Sequence, residues 1–282
     1  MENVIITNQE KFEQAKRQIQ KDGSLALHIL ADFDRTLTKM FVNGKKRWSL
    51  LGVLRDSDIM PQQYKQKAQE LFDYYHPLET DSSLTCQEKK NLMEEWWNKA
   101  FGLMIDFNFS KDHLQKIVDI GEVEFRGKAD YFFEFLNRAK IPLVIMSACG
   151  VGEAIKLIFA KNNFLFDNIF IISNSFKWSE QGLAIEPNQP IIHSLNKDKT
   201  LIKDFPEIFD KVKNRKNIIL LGDNPEDIGM ALGFDYENII KVGFLNEKTE
   251  QNLENYKKAF DAVILKDGNM DFINNLLKEI VS

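Results

Sequence analysis

Residues 24–38 read SLALHILADFDRTLT, an apolar run of strand length that stops at two aspartates, Asp32 and Asp34, one residue apart. Continuous rather than alternating apolarity marks a strand covered on both faces, as in a parallel sheet sandwiched between helices. Ionised carboxylates are costly to remove from water unless something positive meets them. The pair is therefore either an ordinary loop turning into solvent or part of a charged site, and the rest of the chain has to decide.

The same pattern recurs on the C-terminal side. Apolar runs appear at IPLVIMSA (141–148), NIFIISN (168–174), NIILLGD (217–223), IIKVGFL (239–245) and AFDAVIL (259–265). Helical periodicity separates several of them, as in ADYFFEFLNRAK (129–140) and VGEAIKLIFAKN (151–162). Before the first run, NQEKFEQAKRQIQKD (8–22) places Phe12, Ala15 and Ile19 on one helical face, and Gly23 ends it. Strand–helix alternation predicts an α/β fold, a doubly wound and mainly parallel sheet with helices on both faces.

Residues 40–122 break this rhythm. The segments PQQYKQKAQELFDYYHPLE (61–79), SLTCQEKKNLMEEWWNKAFGLMIDFN (83–108) and SKDHLQKIVDI (110–120) are polar-rich and helical, without a convincing buried strand. Some eighty residues are too many for a simple connection. The division expected is an α/β core of residues 1–39 and 123–282 with an inserted helical cap domain at 40–122, Gly121 and Gly127 serving as flexible joints.

Composition narrows the class. The 282 residues carry a net charge of −5 with both signs interspersed, which indicates neither a nucleic-acid groove nor a membrane patch. Cys86 and Cys149 are too far apart for a disulfide framework or a zinc cluster. The start MENVIITNQEKFEQ lacks the pattern of a signal peptide, and no run approaches the roughly 20 apolar residues of a membrane span. A cytoplasmic protein is expected.

In open α/β sheets ligands gather beyond the carboxyl ends of the strands. There the chain supplies Asp32, Asp34 and Thr36, then Ser147 with small residues after it, then Asp223 and Asp227. PIIHSLNKDKT adds Lys197 or Lys199 after an expected β segment. Converging carboxylates need a cation, and oxygen ligands with room for water or phosphate suit Mg²⁺. A hydroxyl, small-residue amides and a lysine suit a phosphoryl group. Together the parts describe phosphoryl transfer to an aspartate. His28, inside the first strand, reads as a core residue, and no base stands near Cys149 to make it a nucleophile.

These motifs resemble the haloacid dehalogenase superfamily, with its Rossmann-like core. Asp32, Asp34 and Thr36 match the first motif, Ser147 the second, Lys197 the third and GDNPED the fourth. The stretches DFDRTLT, YYHPLE, EWWNKA, SACG, IHSLNK, LLGDNPED and VGFLN extend the resemblance to the cytosolic pyrimidine 5′-nucleotidase family over nearly the whole chain. Cys149 departs from it, standing where that family usually has glycine. The resemblance implies that Asp32 is the nucleophile and Asp34 the acid and base. It implies that Mg²⁺ is held by Asp32, the Asp34 carbonyl and Asp223, with Asp227 in support, and that Thr36, Ser147, the Ala148 amide and Lys197 hold phosphate. In the cap it places Glu79 near the base and Trp97 against its face, with Met40 or Phe41 offered for the other face and at most one of Trp96 and Trp97 stacking. The expected substrate is a nucleoside 5′-monophosphate, either a pyrimidine or 7-methylguanosine, since a tryptophan at position 97 suits a cationic ring. A phosphatase for another small metabolite, and an inactive binding module on this fold, are the alternatives.

Overall fold

A computed structural model of the protein describes residues 3–79, 81, 83–197, 202 and 204–281. The strands are β1 (Val4–Ile6), β2 (Leu27–Ala31), β3 (Phe41–Val42), β4 (Lys45–Lys46), β5 (Leu143–Ser147), β6 (Ile169–Ser173), β7 (Phe176–Trp178), β8 (Ala184–Pro187), β9 (Asn217–Gly222), β10 (Asn238–Leu245) and β11 (Ala262–Leu265). Seven form one sheet in the order β1-β11-β10-β9-β2-β5-β6. All neighbours are parallel except β1, which runs antiparallel to β11 at the edge.

The run that ends in Asp32 is central, between β9 and β5. Its neighbours explain its composition. Ile29 and Ala31 pack into one core layer and Leu30 into the opposite one, as successive strand residues must. Both faces being covered, every residue of β2 is buried, His28 included. The six strands expected from continuous apolarity are all present. Strand β1 escapes that signal because three half-buried edge residues carry no pattern.

The first helix, α1 (Gln9–Asp22), is capped by the Asn8 side chain, which accepts from the Lys11 N–H, and Gly23 follows at φ 78. Between β2 and β5 the chain forms the β3–β4 hairpin and then α2 (Leu50–Asp56), α3 (Gln62–Glu79), α4 (Cys86–Asp106) and α5 (Lys111–Ile120), adding no strand to the large sheet. A capping box of Thr85 and Glu88 starts α4. The β7–β8 hairpin reaches back to these helices: Phe176 lies 5.4 Å from Phe101 and 5.6 Å from Phe109, ring to ring.

One expectation needs correction. Residues 191–197 form no strand; Ile191 and Ile192 are apolar because they pack beneath an irregular loop. At the expected joints the positive φ values fall on Glu122 (45°) and Lys128 (68°), each directly after a glycine. At Gly121 a β-carbon would fall 2.5 Å from the Ile117 carbonyl oxygen.

Candidate active site

Strands β9, β2 and β5 are neighbours, so the residues that follow them start out side by side. Asp32 leaves β2 with its N–H on the Leu221 carbonyl at 3.0 Å. Asp227 comes from the 3₁₀ turn Pro225–Gly233 and folds back over the end of β9. Its Oδ2 accepts from the N–H groups of Asp223 (3.1 Å) and Asn224 (3.0 Å). That return requires Gly222, where a β-carbon would lie 2.6 Å from the one of Asp227. Each of Asp32, Asp223 and Asp227 then offers a carboxylate oxygen within 4.8 Å of the others. Lys197 Nζ donates to Asp32 at 2.5 Å and to Asp227 at 3.1 Å.

Burial and crowding set the protonation of this cluster. Burial pushes Asp32 up to about 7, with the Asp227 charge adding and Lys197 opposing. Burial, then the charges of Asp32 and Asp227, raise Asp223 well above the carboxylate range. Burial carries Asp34 to about 6 against the pull of Arg35 and Lys197, and the Leu50 amide also favours its ionised form. Lys197 is held charged: burial opposes the ammonium, but Asp227 and Asp32 outweigh it. One lysine leaves three carboxylates short of positive charge. Hard oxygen donors in that state fit a divalent cation such as Mg²⁺. Asp32, Asp223 and Asp227 are the residues able to hold it.

Opposite these groups, Ser147 is buried and its Oγ accepts the Cys149 N–H at 3.1 Å. Asn174, unremarked in the sequence, braces this loop. Its Nδ2 donates to the carbonyls of Cys149 (3.2 Å) and Ile192 (2.8 Å), and its Oδ1 accepts from Ile192 N–H (2.8 Å). The loop after β5 and the stretch that bears Lys197 are thus tied together. Cys149 is inert as a nucleophile, burial and then Asp34 holding its thiol protonated.

The carboxylates, Lys197 and Ser147 open onto one cavity of 610 Å³. Asp32, Asp34, Ser147, Ala148, Lys197, Asp223 and Asp227 line its floor. Glu79, Trp96 and Trp97 line the wall supplied by the helices. Trp97 rests on the loop after β5, so closely that a β-carbon on Gly150 would lie 2.5 Å from its ring. Trp96 stacks on Tyr75 with centroids 6.0 Å apart. Both tryptophans line this wall.

Thr36 is not brought to the cavity. It is fully buried, and among the described residues its hydroxyl has no hydrogen-bond partner. The chain turns at Arg35, which takes φ 62, and carries Thr36 beneath the surface. Met40 and Phe41 do not line the cavity either: their N–H groups bind the Asp267 carboxylate, both at 2.9 Å. Trp48, Tyr64, Phe72 and His76 occupy the apolar wall instead. Lys199 lies outside the described residues.

Known proteins resemble this chain in sequence and in fold. The family model for pyrimidine 5′-nucleotidase (UMPH-1) matches residues 35–281. The chain is 35% identical over 266 residues to the 7-methylguanosine phosphate-specific 5′-nucleotidase A of Xenopus laevis, covering 94% of this chain and 91% of that protein. It is 33% identical over 264 residues to the human 7-methylguanosine phosphate-specific 5′-nucleotidase, covering 93% and 87%. The crystal structure of cytosolic 5′-nucleotidase IIIB bound to cytidine superimposes with a TM-score of 0.89 at 29% identity, over 99% of this chain and 93% of that one. A haloacid dehalogenase family hydrolase of Salmonella enterica (TM-score 0.57, 12% identity, 90% and 71% covered) and a substrate-bound phosphoserine phosphatase (0.51, 14%, 89% and 96%) share the fold. The core is thus the Rossmann-like haloacid dehalogenase type, and the chain belongs to the pyrimidine 5′-nucleotidase (UMPH-1) family.

Proposed function

We propose that this 5′-nucleotidase is a Mg²⁺-dependent phosphatase of nucleoside 5′-monophosphates that works through a phosphorylated Asp32. The observation that carries the reading is the single cavity joining three carboxylates and a buried lysine to an aromatic wall with Glu79. The floor suits a phosphoryl group and a metal; the wall suits a base.

The Asp32 carboxylate attacks phosphorus as the bond to the nucleoside 5′ oxygen breaks, and Asp34 gives that oxygen its proton. Asp34 then takes a proton from the water that attacks the phosphorus of the aspartyl phosphate, releasing inorganic phosphate and restoring Asp32. A carboxyl raised to about 6 is suited to both roles near neutral pH. Lys197, Ser147 and the Ala148 amide hold phosphoryl oxygens. When bound by Asp32, Asp223, Asp227 and the Asp34 carbonyl, Mg²⁺ supplies charge that keeps Asp32 ionised and offsets that of the phosphoryl group. Thr36 contributes through the buried turn rather than by contact.

Trp97 stacks on the base and Glu79 accepts its N–H groups. The names of the relatives favour 7-methylguanosine monophosphate, and the cytidine in the similar crystal structure favours pyrimidines. We infer that both are substrates. Residues 40–122 act as a cap that closes to exclude water and reopens about joints at 38–46 and 121–127. No described helix is long and apolar enough to cross a membrane, and a similar protein of Caenorhabditis elegans is named a putative cytosolic 5′-nucleotidase; we place this one in the cytosol as well.

Phosphate release from cytidine, uridine and 7-methylguanosine monophosphates, and from a non-nucleotide ester, measured with Mg²⁺ and with chelator, tests the reading. Hydrolysis of the nucleotides only when metal is present is expected. Preference for the non-nucleotide ester, or turnover unaffected by chelator, would refute it.

A further inference from the structure

Arg126, which the proposed reaction does not use, is the largest fully buried side chain in the described structure. All five of its N–H donors are taken. Nε donates to the Thr36 carbonyl at 2.7 Å. Nη1 donates to the Gly268 carbonyl at 2.7 Å and the Asp267 carboxylate at 3.1 Å. Nη2 donates to Asn246 Oδ1 at 2.7 Å and to the Arg35 carbonyl. The guanidinium also lies 4.0 Å over the Phe244 ring.

Two of these acceptors belong to the turn that follows Asp34. Arg35 holds φ 62, a left-handed conformation that costs a residue with a β-carbon and persists only when its surroundings impose it. Here the imposing groups are visible. The Arg35 carbonyl accepts from Arg126 and also from Asn246 Nδ2 at 3.0 Å, while its N–H donates to Thr38 Oγ1 at 2.9 Å.

The same guanidinium sits where the chain leaves the sheet and where it returns. Arg126 N–H donates to the Leu37 carbonyl at 3.0 Å and Lys39 N–H to the Glu124 carbonyl at 2.9 Å, so the outgoing and returning segments run antiparallel. Asp267, the ion-pair partner of Arg126, takes the N–H groups of Met40 and Phe41. One side chain therefore joins the turn beside Asp34, both connections and the loop after β11.

We propose that Arg126, assisted by Asn246 and Asp267, is a positioning residue for catalysis. It holds the turn of residues 34–36 in its strained shape and anchors the root of the helical segment to that turn. Asp34 then keeps its place over the phosphoryl group while the cap moves. This rests on the reading of Asp34 as acid and base. Lysine is no substitute, because one ammonium cannot span five acceptors laid out for a planar fork.

Arg126→Lys and Asn246→Ala test it, compared with the wild type on cytidine monophosphate and a small aryl phosphate, with local amide exchange followed by mass spectrometry. A misplaced catalytic group should lower kcat by about 100-fold in Arg126→Lys and about tenfold in Asn246→Ala. The fall in kcat should appear with both substrates, because both pass through the aspartyl phosphate that Asp34 helps to hydrolyse, and KM should not rise by more than about threefold, because the base wall is untouched. Amide exchange should quicken at residues 33–41 and 124–127 and stay unchanged in β5 and β9. Unchanged kcat in both variants, a rise in KM alone, or exchange quickened throughout the sheet would overturn the proposal. If Arg126→Lys does not fold, Asn246→Ala decides alone. Should the wild type hydrolyse no monophosphate, the functional reading fails, whereas the exchange pattern still decides whether the clamp exists.

Discussion

Lys197 and Asp32, 165 positions apart in the chain, meet at 2.5 Å, and the same ammonium lies 3.1 Å from Asp227. The lysine compensates two buried carboxylates that would otherwise repel each other. Breaking a buried ion pair on one side leaves uncompensated charge and typically costs about 3–5 kcal/mol. Lys197→Met should therefore lose stability in chelator by that order, and Mg²⁺ should restore more stability to it than it adds to the wild type. Chemical denaturation with and without metal measures both. An unchanged stability in chelator would mean that Lys197 does not neutralise the cluster.

Asp34→Asn separates the two chemical steps. Losing a general acid should slow cytidine monophosphate cleavage by about 10²–10⁴-fold. A nitrophenyl ester needs no proton on its leaving group, so its first turnover should stay fast and only release of the phosphoryl group from Asp32 should slow. Rapid mixing should then show a burst of nitrophenol equal to the enzyme, followed by slow turnover. First turnovers slowed equally for both esters would contradict the acid role.

In the proposed function, the contact between Trp97 and Gly150 links base recognition to the loop after β5. Trp97→Ala should weaken nucleotide binding by a stacking energy of about 1–3 kcal/mol while sparing a small ester. Gly150→Ala should act similarly, since its methyl group must push the indole aside. Trp97→Tyr should keep pyrimidine monophosphates and weaken 7-methylguanosine monophosphate, because the smaller ring is the poorer partner for a cation. Comparison of kcat/KM across these substrates checks all three; equal losses on the small ester would mean that Trp97 only packs the helices.

His28 makes folding sensitive to acid. Burial, then the nearby Arg215 charge, lower it from 6.5 to about 3 in the folded chain, with the Arg215 backbone offsetting part of the shift. The unfolded chain therefore binds a proton between those values that the folded chain excludes. Its contribution is full above 6.5 and is lost as pH falls towards 3, at up to about 1.4 kcal/mol per pH unit. His28→Phe should flatten the loss of stability between pH 6 and 4 relative to the wild type. Parallel profiles would show that His28 takes no part.

The six strands were legible because a strand covered on both faces leaves an unbroken apolar run, and Asp32, Asp34, Ser147 and Asp223 were legible because such runs stop at them. The loop at 191–197 misled, since two isoleucines packed beneath a loop look like strand residues. Thr36 fitted its motif, but whether a hydroxyl faces a cavity or lies under a turn depends on the torsion of Arg35. Phe72 and His76 were missed because aromatic residues at helical spacing read the same in a core and in a cavity wall. Asn174 and Arg126 were invisible because their roles lie in partners far away in the chain, such as Thr36, 90 residues from Arg126.

The most direct measurement is chemical trapping. Asp34→Asn, mixed with a nitrophenyl phosphate and Mg²⁺ and quenched in acid, should carry a phosphoryl group on the peptide that contains Asp32. The peptide from Asp32→Asn should carry none, and that variant should not hydrolyse cytidine monophosphate. An unmodified Asp32 peptide, together with hydrolysis persisting in Asp32→Asn, would contradict the covalent account.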